Sequence, residues 1–111
     1  MQQNDKAVLI YATFPTAEIA ETIGGMLVDQ KLAACVNIWP GMTSIYIWQG
    51  QRQRDNEAVM VIKTRETLAD SAIAEARRQH PYDNPAFLVL PVVSGSQDFL
   101  GWIAEQTAAK G

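Results

Sequence analysis

Three stretches of this chain are apolar at consecutive rather than alternate positions: Val8-Leu9-Ile10-Tyr11, Val59-Met60-Val61-Ile62 and Phe87-Leu88-Val89-Leu90. A strand with one solvated face alternates apolar and polar residues, so these runs require cover on both faces of a sheet. A chain of 111 residues holds one compact domain and not two. The cover must therefore come from a few helices or from further copies of the same chain.

The segments between these runs predict the helices. Residues 7–13 form a first strand, buried on both faces and closed by Pro15. Thr16 is placed to cap a helix whose first turn carries Glu18, where the dipole favours a carboxylate. Ile19, Ile23, Met26 and Leu27 make its apolar stripe. Gly24 and Gly25 lie inside this helix at roughly 1 kcal/mol each against alanine, which predicts close packing on the sheet as compensation, with a local kink as the alternative.

A second strand starts at Cys35 and is interrupted by Pro40-Gly41, a pair that marks an edge, a bulge or a bend. It resumes over 43–48 with Ile45 and Ile47 on one face and Tyr46 and Trp48 on the other. Gln49-Gly50-Gln51 is a hairpin turn with a positive φ expected at Gly50, and 56–64 return as a third strand. A second helix over 66–79 takes Thr64 as its cap and packs through Leu68, Ala72, Ile73 and Ala76. Pro81 and Pro85 keep the next loop extended. Residues 87–93 form the last strand, with Pro91 at an edge or bend, and a short terminal helix carries Phe99, Leu100, Trp102 and Ile103.

The order is β-α-β-β-α-β plus a helix, which predicts an α+β, ferredoxin-like domain over 1–111 with frayed ends at 1–6 and 108–111. The helices are expected on one face of a four-stranded sheet, antiparallel or mixed. Three apolar strands expose more than one short terminal helix covers, so the second face calls for burial against identical subunits.

Charge and motifs exclude several function classes. The net charge is −3 and no Lys/Arg run stands out, which argues against nucleic acid as the main partner. No stretch approaches a membrane span, and the first six residues form no signal core. Cys35 is the only cysteine, so no intrachain disulfide forms; a reduced, cytoplasmic protein is expected. No phosphate loop, nucleophile elbow, HExxH or Cys-x-x-Cys is present, and no enzyme is expected.

Five stretches resemble the CutA divalent-cation tolerance family, in its order and spacing over about 7–105. They are Lys31-Leu32-Ala33-Ala34-Cys35-Val36-Asn37, Ser44-Ile45-Tyr46-Ile47-Trp48-Gln49-Gly50, Ile62-Lys63-Thr64, His80-Pro81-Tyr82 and Leu88-Val89-Leu90-Pro91-Val92. The resemblance implies a homotrimer with the architecture of PII signalling proteins, and an association with tolerance to copper and other divalent cations. In members proposed to bind copper, the ligands are a first-strand cysteine and two adjacent histidines. Those positions correspond here to Ala12, Gln79 and His80, and Ala86 stands where many members place a glutamate after the second proline. One imidazole does not close a metal site, so metal binding is expected to be weak, with no cofactor required.

His80 is the candidate metal residue; the competing reading is a helix-terminal histidine bonded to the last carbonyls. Cys35 reads as a small buried hydrophobe, and Met26, Met42 and Met60 as core. Trp48, Glu57, Lys63 and Tyr82 are read together as a candidate inter-subunit cleft suited to a small anion or metabolite, against the simpler reading of interface pairs. A PII-like module binding a small ligand or a protein is the alternative to a metal-responsive trimer.

Overall fold

A computed structural model of the protein describes residues 5–108. Strand β1 (Ala7–Phe14) leads to helix α1 (Ala17–Asp29), then to β2 (Cys35–Trp48) and β3 (Gln51–Arg65). A 3₁₀ turn (Glu66–Leu68) enters α2 (Ala69–Gln79), followed by β4 (Phe87–Pro91) and α3 (Gln97–Gln106). The strands lie in the order β2-β3-β1-β4, with every pairing antiparallel. This is the ferredoxin-like arrangement with its extra helix.

Alternation along the strands builds one core. Val8, Ile10, Ala12 and Phe14 of β1 point to the same side as Met60 and Ile62 of β3, and all are buried. Ala20, Ile23 and Leu27 of α1 and Ala69, Ala72 and Ala76 of α2 close over them. Each large apolar side chain so buried contributes about 1.5–3 kcal/mol. Gly24 explains how α1 approaches so near: a Cβ there would lie 2.8 Å from Met60 Sδ and 2.9 Å from Val36 Cγ2. Thr16 caps the helix, its Oγ1 accepting from Ile19 N at 3.2 Å.

The second face of the sheet is only partly covered. Leu9, Tyr11 and Thr13 of β1 are half-buried, so this strand is not buried on both faces within one protomer as the consecutive apolar run predicts. The three helices also do not share one face. Lys63 and Arg65, on the side away from α1, both reach the terminal helix or its end. Lys63 Nζ sits 5.2 Å from the centroid of Phe99, and Arg65 donates to Thr107 Oγ1 and to its carbonyl, both at 2.8 Å. Helix α3 has therefore crossed to the second face, where it covers one end and leaves the rest open.

Thr64 is not the cap of α2. It is a fully buried β3 residue whose hydroxyl donates to Leu32 O at 2.7 Å, tying the loop after α1 to the sheet. The capping role at the 3₁₀ turn falls to Asp5, which accepts from Thr67 N at 3.1 Å and Thr67 Oγ1 at 2.8 Å and pairs with Arg65 at 2.7 Å. Asp5 is thus tied into the fold, as is Lys6, whose carbonyl accepts from Glu66 N at 2.7 Å, while residues 1–4 and 109–111 of the expected frayed ends lie outside the described residues. The last strand stops at Pro91 rather than 93, and residues 81–84 bend where the two prolines predict extended chain.

Candidate functional site

The Pro40-Gly41 pair produces a β-bulge, with the register shifting between Trp39 and Met42 on an edge strand. Gly41 takes φ 76°, a value that glycine adopts without steric cost. Beyond the bulge, β2 and β3 continue as a two-stranded arm closed by Gln49 (φ 51°) and Gly50 (φ 78°) between paired Trp48 and Gln51. Two consecutive positive φ values are those of a type I′ hairpin, which matches the right-handed twist of the strands.

Antiparallel register decides which side chains share a face of that arm. Met42 opposes Glu57, Ser44 opposes Asp55, Tyr46 opposes Gln53 and Trp48 opposes Gln51, all on one side. The loop after α2 comes up beside them, and the two together form an open cleft of about 580 Å³. Its walls include the carboxylates Asp55, Glu57 and Asp83 and the aromatic rings of Tyr46, Trp48 and Tyr82. Among the described residues no lysine, arginine or histidine lines it.

Each tyrosine in the cleft donates to a carboxylate. Tyr82 Oη donates to Glu57 Oε2 at 2.7 Å, and Tyr46 Oη donates to Asp55 Oδ2. Burial, then the hydrogen bond to Glu57 and its charge, pushes the Tyr82 phenol well above its ordinary range. For Tyr46 the bond to Asp55 is the main cause of a rise in the same direction. Both phenols therefore remain protonated donors, and each carboxylate keeps an oxygen turned from its tyrosine.

Trp48, Glu57 and Tyr82 are brought together; Lys63 is not. It lies six residues from Glu57 along β3, about 20 Å at strand rise, and its ammonium faces Phe99 of α3. The lining is thus acidic, and the expected affinity for a small anion loses its cation within the protomer. Tyr46, Asp55 and Asp83 were not anticipated from sequence. The signal for two of them was present: a two-residue turn at Gln49-Gly50 forces Tyr46 and Asp55 onto one face.

His80 is placed where it cannot readily serve as a ligand. The ring is buried, stacked on Phe14 at 4.7 Å between centroids, tilted against Tyr82 at 4.8 Å and edge-on to Phe87 at 5.9 Å. Nε2 lies 2.7 Å from Thr13 O and Nδ1 accepts from Tyr82 N at 3.1 Å. These two contacts require the proton on Nε2 and occupy the Nδ1 lone pair. The ring bonds to the end of β1, not to the last carbonyls of α2 as the helix-terminal reading had it. Among the described residues no three His, Cys, Asp or Glu side chains cluster as a metal site would need. The donor set of one protomer does not fit a resident copper ion.

The remaining soft atoms do not converge. Cys35 is half-buried rather than buried, opposite Lys63 on the edge of the sheet. Met60 is in the core, while Met42 Sδ meets Tyr11 Oη at 3.6 Å and Met26 meets Gln79 on the helical side.

The family model of the CutA1 divalent ion tolerance protein matches residues 8–106. The chain belongs to the CutA1 divalent ion tolerance family. The divalent-cation tolerance protein CutA of Thermus thermophilus is 41% identical over 103 residues, covering 93% of this chain and 98% of its own length. Protein CutA 1, chloroplastic, of Oryza sativa subsp. japonica is 39% identical over 101 residues, covering 91% of this chain. This CutA chain spans 57% of the length of that rice relative and 60% of the length of the chloroplastic CutA of Arabidopsis thaliana. Among solved structures, CutA1 of Ehrlichia chaffeensis superposes with a TM-score of 0.91 at 32% identity, covering 96% of this chain and all 100% of its own. CutA1 of Oryza sativa gives 0.90 at 38% identity, with 94% and 95% covered. The α+β fold with its four-stranded antiparallel sheet is thus the CutA fold.

Proposed function

We propose that the chain is a homotrimeric, non-enzymatic protein of divalent-cation tolerance, working in the cytoplasm, whose single protomer meets copper and related ions only weakly. The observation that carries this reading is the apolar surface left open on the arm and on β4. Ile47 is 67% exposed, Leu88 61% and Trp48 55%, with Ile45, Val89 and Leu90 beside them. Soluble monomers rarely leave such a patch uncovered, and β2 and β4 are both free sheet edges able to pair with another copy. Closed rings are the common outcome for identical subunits, and the number three and the link to copper come from the family resemblance.

Light scattering at low micromolar concentration tests the assembly, and a stable monomer defeats it. Copper calorimetry at neutral pH should show no tight stoichiometric site, and His80→Ala should leave the titration unchanged. Submicromolar binding lost in His80→Ala overturns the weak-binding half. Relatives named as chloroplastic in rice and periplasmic in Archaeoglobus fulgidus make cell fractionation the measurement for the compartment.

A second reading, a small-ligand module of PII-like kind, is favoured by the cleft. Three carboxylates and three aromatic rings with no basic side chain among the described lining residues suit an organic cation better than an anion. A thermal-shift screen of ammonium and guanidinium compounds against anions tests that preference; stabilisation by anions alone contradicts it.

A further inference from the structure

We infer that His80 is a positioning residue for the cleft and not a ligand within it: it fixes the loop that carries Tyr82, and through Tyr82 it holds Glu57. This rests on the cleft being a working surface, the second reading above. The geometry is a chain of contacts running from the end of β1 out to the arm. Thr13 O receives the Nε2 proton at 2.7 Å, Nδ1 receives the Tyr82 backbone N–H at 3.1 Å, and Tyr82 Oη donates to Glu57 at 2.7 Å. Both nitrogens of one imidazole are spent on backbone groups of different segments, and three aromatic neighbours fix the ring plane.

The position of this chain of contacts gives it its effect. Phe14 is the last residue of β1, and the arm beyond Ala58 continues past it with no β1 residue paired alongside. His80, next after α2 with φ −75° and ψ 135°, turns the chain from the helical layer toward that arm. The loop it launches supplies Tyr82 and Asp83 to one side of the cleft, while the arm supplies Asp55 and Glu57 to the other. Without the Nδ1 acceptor, the Tyr82 N–H loses its protein partner and the Tyr82 ring loses the imidazole it leans on. A metal ion that took the Nδ1 lone pair would have to displace the same N–H. Metal capture at His80 and the closed loop are mutually exclusive.

Histidine-selective ¹⁵N spectra and hydrogen exchange on the full chain test this directly. The wild type should carry its proton on Nε2. In His80→Gln and His80→Ala the Tyr82 amide should exchange about tenfold faster, the loss expected for one hydrogen bond of ordinary strength. The Tyr82 ring signals should move to where Glu57→Gln places them, while the methyls of Ile10 and Ile62 stay put. Affinity for tetramethylammonium, the cleft probe, should fall about threefold to tenfold as pre-organisation is lost. A proton on Nδ1 in the wild type overturns the proposal even if neither variant folds. So does a folded variant with Tyr82 unchanged, or Zn²⁺ that shifts the His80 ring nitrogens and leaves the Tyr82 amide in place. Failure of the wild type to bind tetramethylammonium sinks the cleft reading alone, because Tyr82 exchange is read without any ligand.

Discussion

Gly24 of α1 and Met60 of β3 approach so closely that a Cβ at Gly24 would stand 2.8 Å from the methionine sulfur. Its neighbour Gly25 has nothing within 4 Å of the same position. Gly24→Ala should therefore destabilise the fold by about 1–3 kcal/mol, because stiff Val36 cannot yield as Met60 can. Gly25→Ala should stabilise it by about 0.8–1 kcal/mol through helix propensity alone. Urea unfolding of the two variants should give opposite signs; equal signs would show that the helix does not sit where it is described.

The Asp5–Arg65 pair predicts an acid limb to the stability profile. Burial opposes ionisation of Asp5, but hydrogen bonds from the Thr67 hydroxyl and amide and the Arg65 guanidinium outweigh it, holding the carboxyl below its ordinary 3.8. A depressed folded value means that the stability is complete above 3.8 and is lost as pH falls through the folded value. Asp5→Asn should cost about 2 kcal/mol at pH 7, and the gap to wild type should close as the pH drops below that point. A gap that stays constant into acid would remove Asp5 from the account.

The sequence made some of these contacts legible and hid others for a definable reason. Thr16 and Glu18 announce α1 because a cap acts on amides two and three residues away. The cap of the 3₁₀ turn before α2 is hidden because Asp5 is 62 residues from Thr67, and no local pattern reports a partner at that distance. Likewise the ferredoxin-like element order is legible, and so is the distance of Lys63 from Glu57 along one strand, whereas the partner of Lys63, Phe99 of the terminal helix, lies 36 residues away. His80 is visible as the only histidine, yet its partners Thr13 and Phe14 come from β1 and Phe87 from β4.

Thr64 gives a third test, separating a cap from a tie. Thr64→Val keeps the volume and deletes the bond to Leu32 O, at a cost of about 1–2 kcal/mol. Hydrogen exchange should accelerate around residues 33–35 and not at the start of α2. Acceleration confined to residues 66–70 would restore the capping role.

Charge on the open face gives the fourth. Leu88→Lys with Leu90→Lys places two cations on an exposed strand that contributes no residue to the fully buried core. The protomer should keep its circular dichroism and lose its assembly, sedimenting as a monomer at low micromolar concentration. An unchanged oligomer would place the subunit contact elsewhere.

The bulge at Pro40-Gly41 divides one long ladder into two lengths with different packing. On the inner length every second side chain, Val36 and Ile38 of β2 and Met60 and Ile62 of β3, packs toward α1 and α2, and a change of one methyl group there is felt by several neighbours. On the outer length the backbone pairs are complete from Met42–Glu57 to Trp48–Gln51, but no core lies beneath them. Apart from Met42, which meets Tyr11, and Glu57, which accepts from Tyr82, side chains there are expected to matter less to the fold than to whatever surface meets the arm. The arm can thus be recut for a different partner or ligand at most of its seven paired positions while the inner ladder keeps the core.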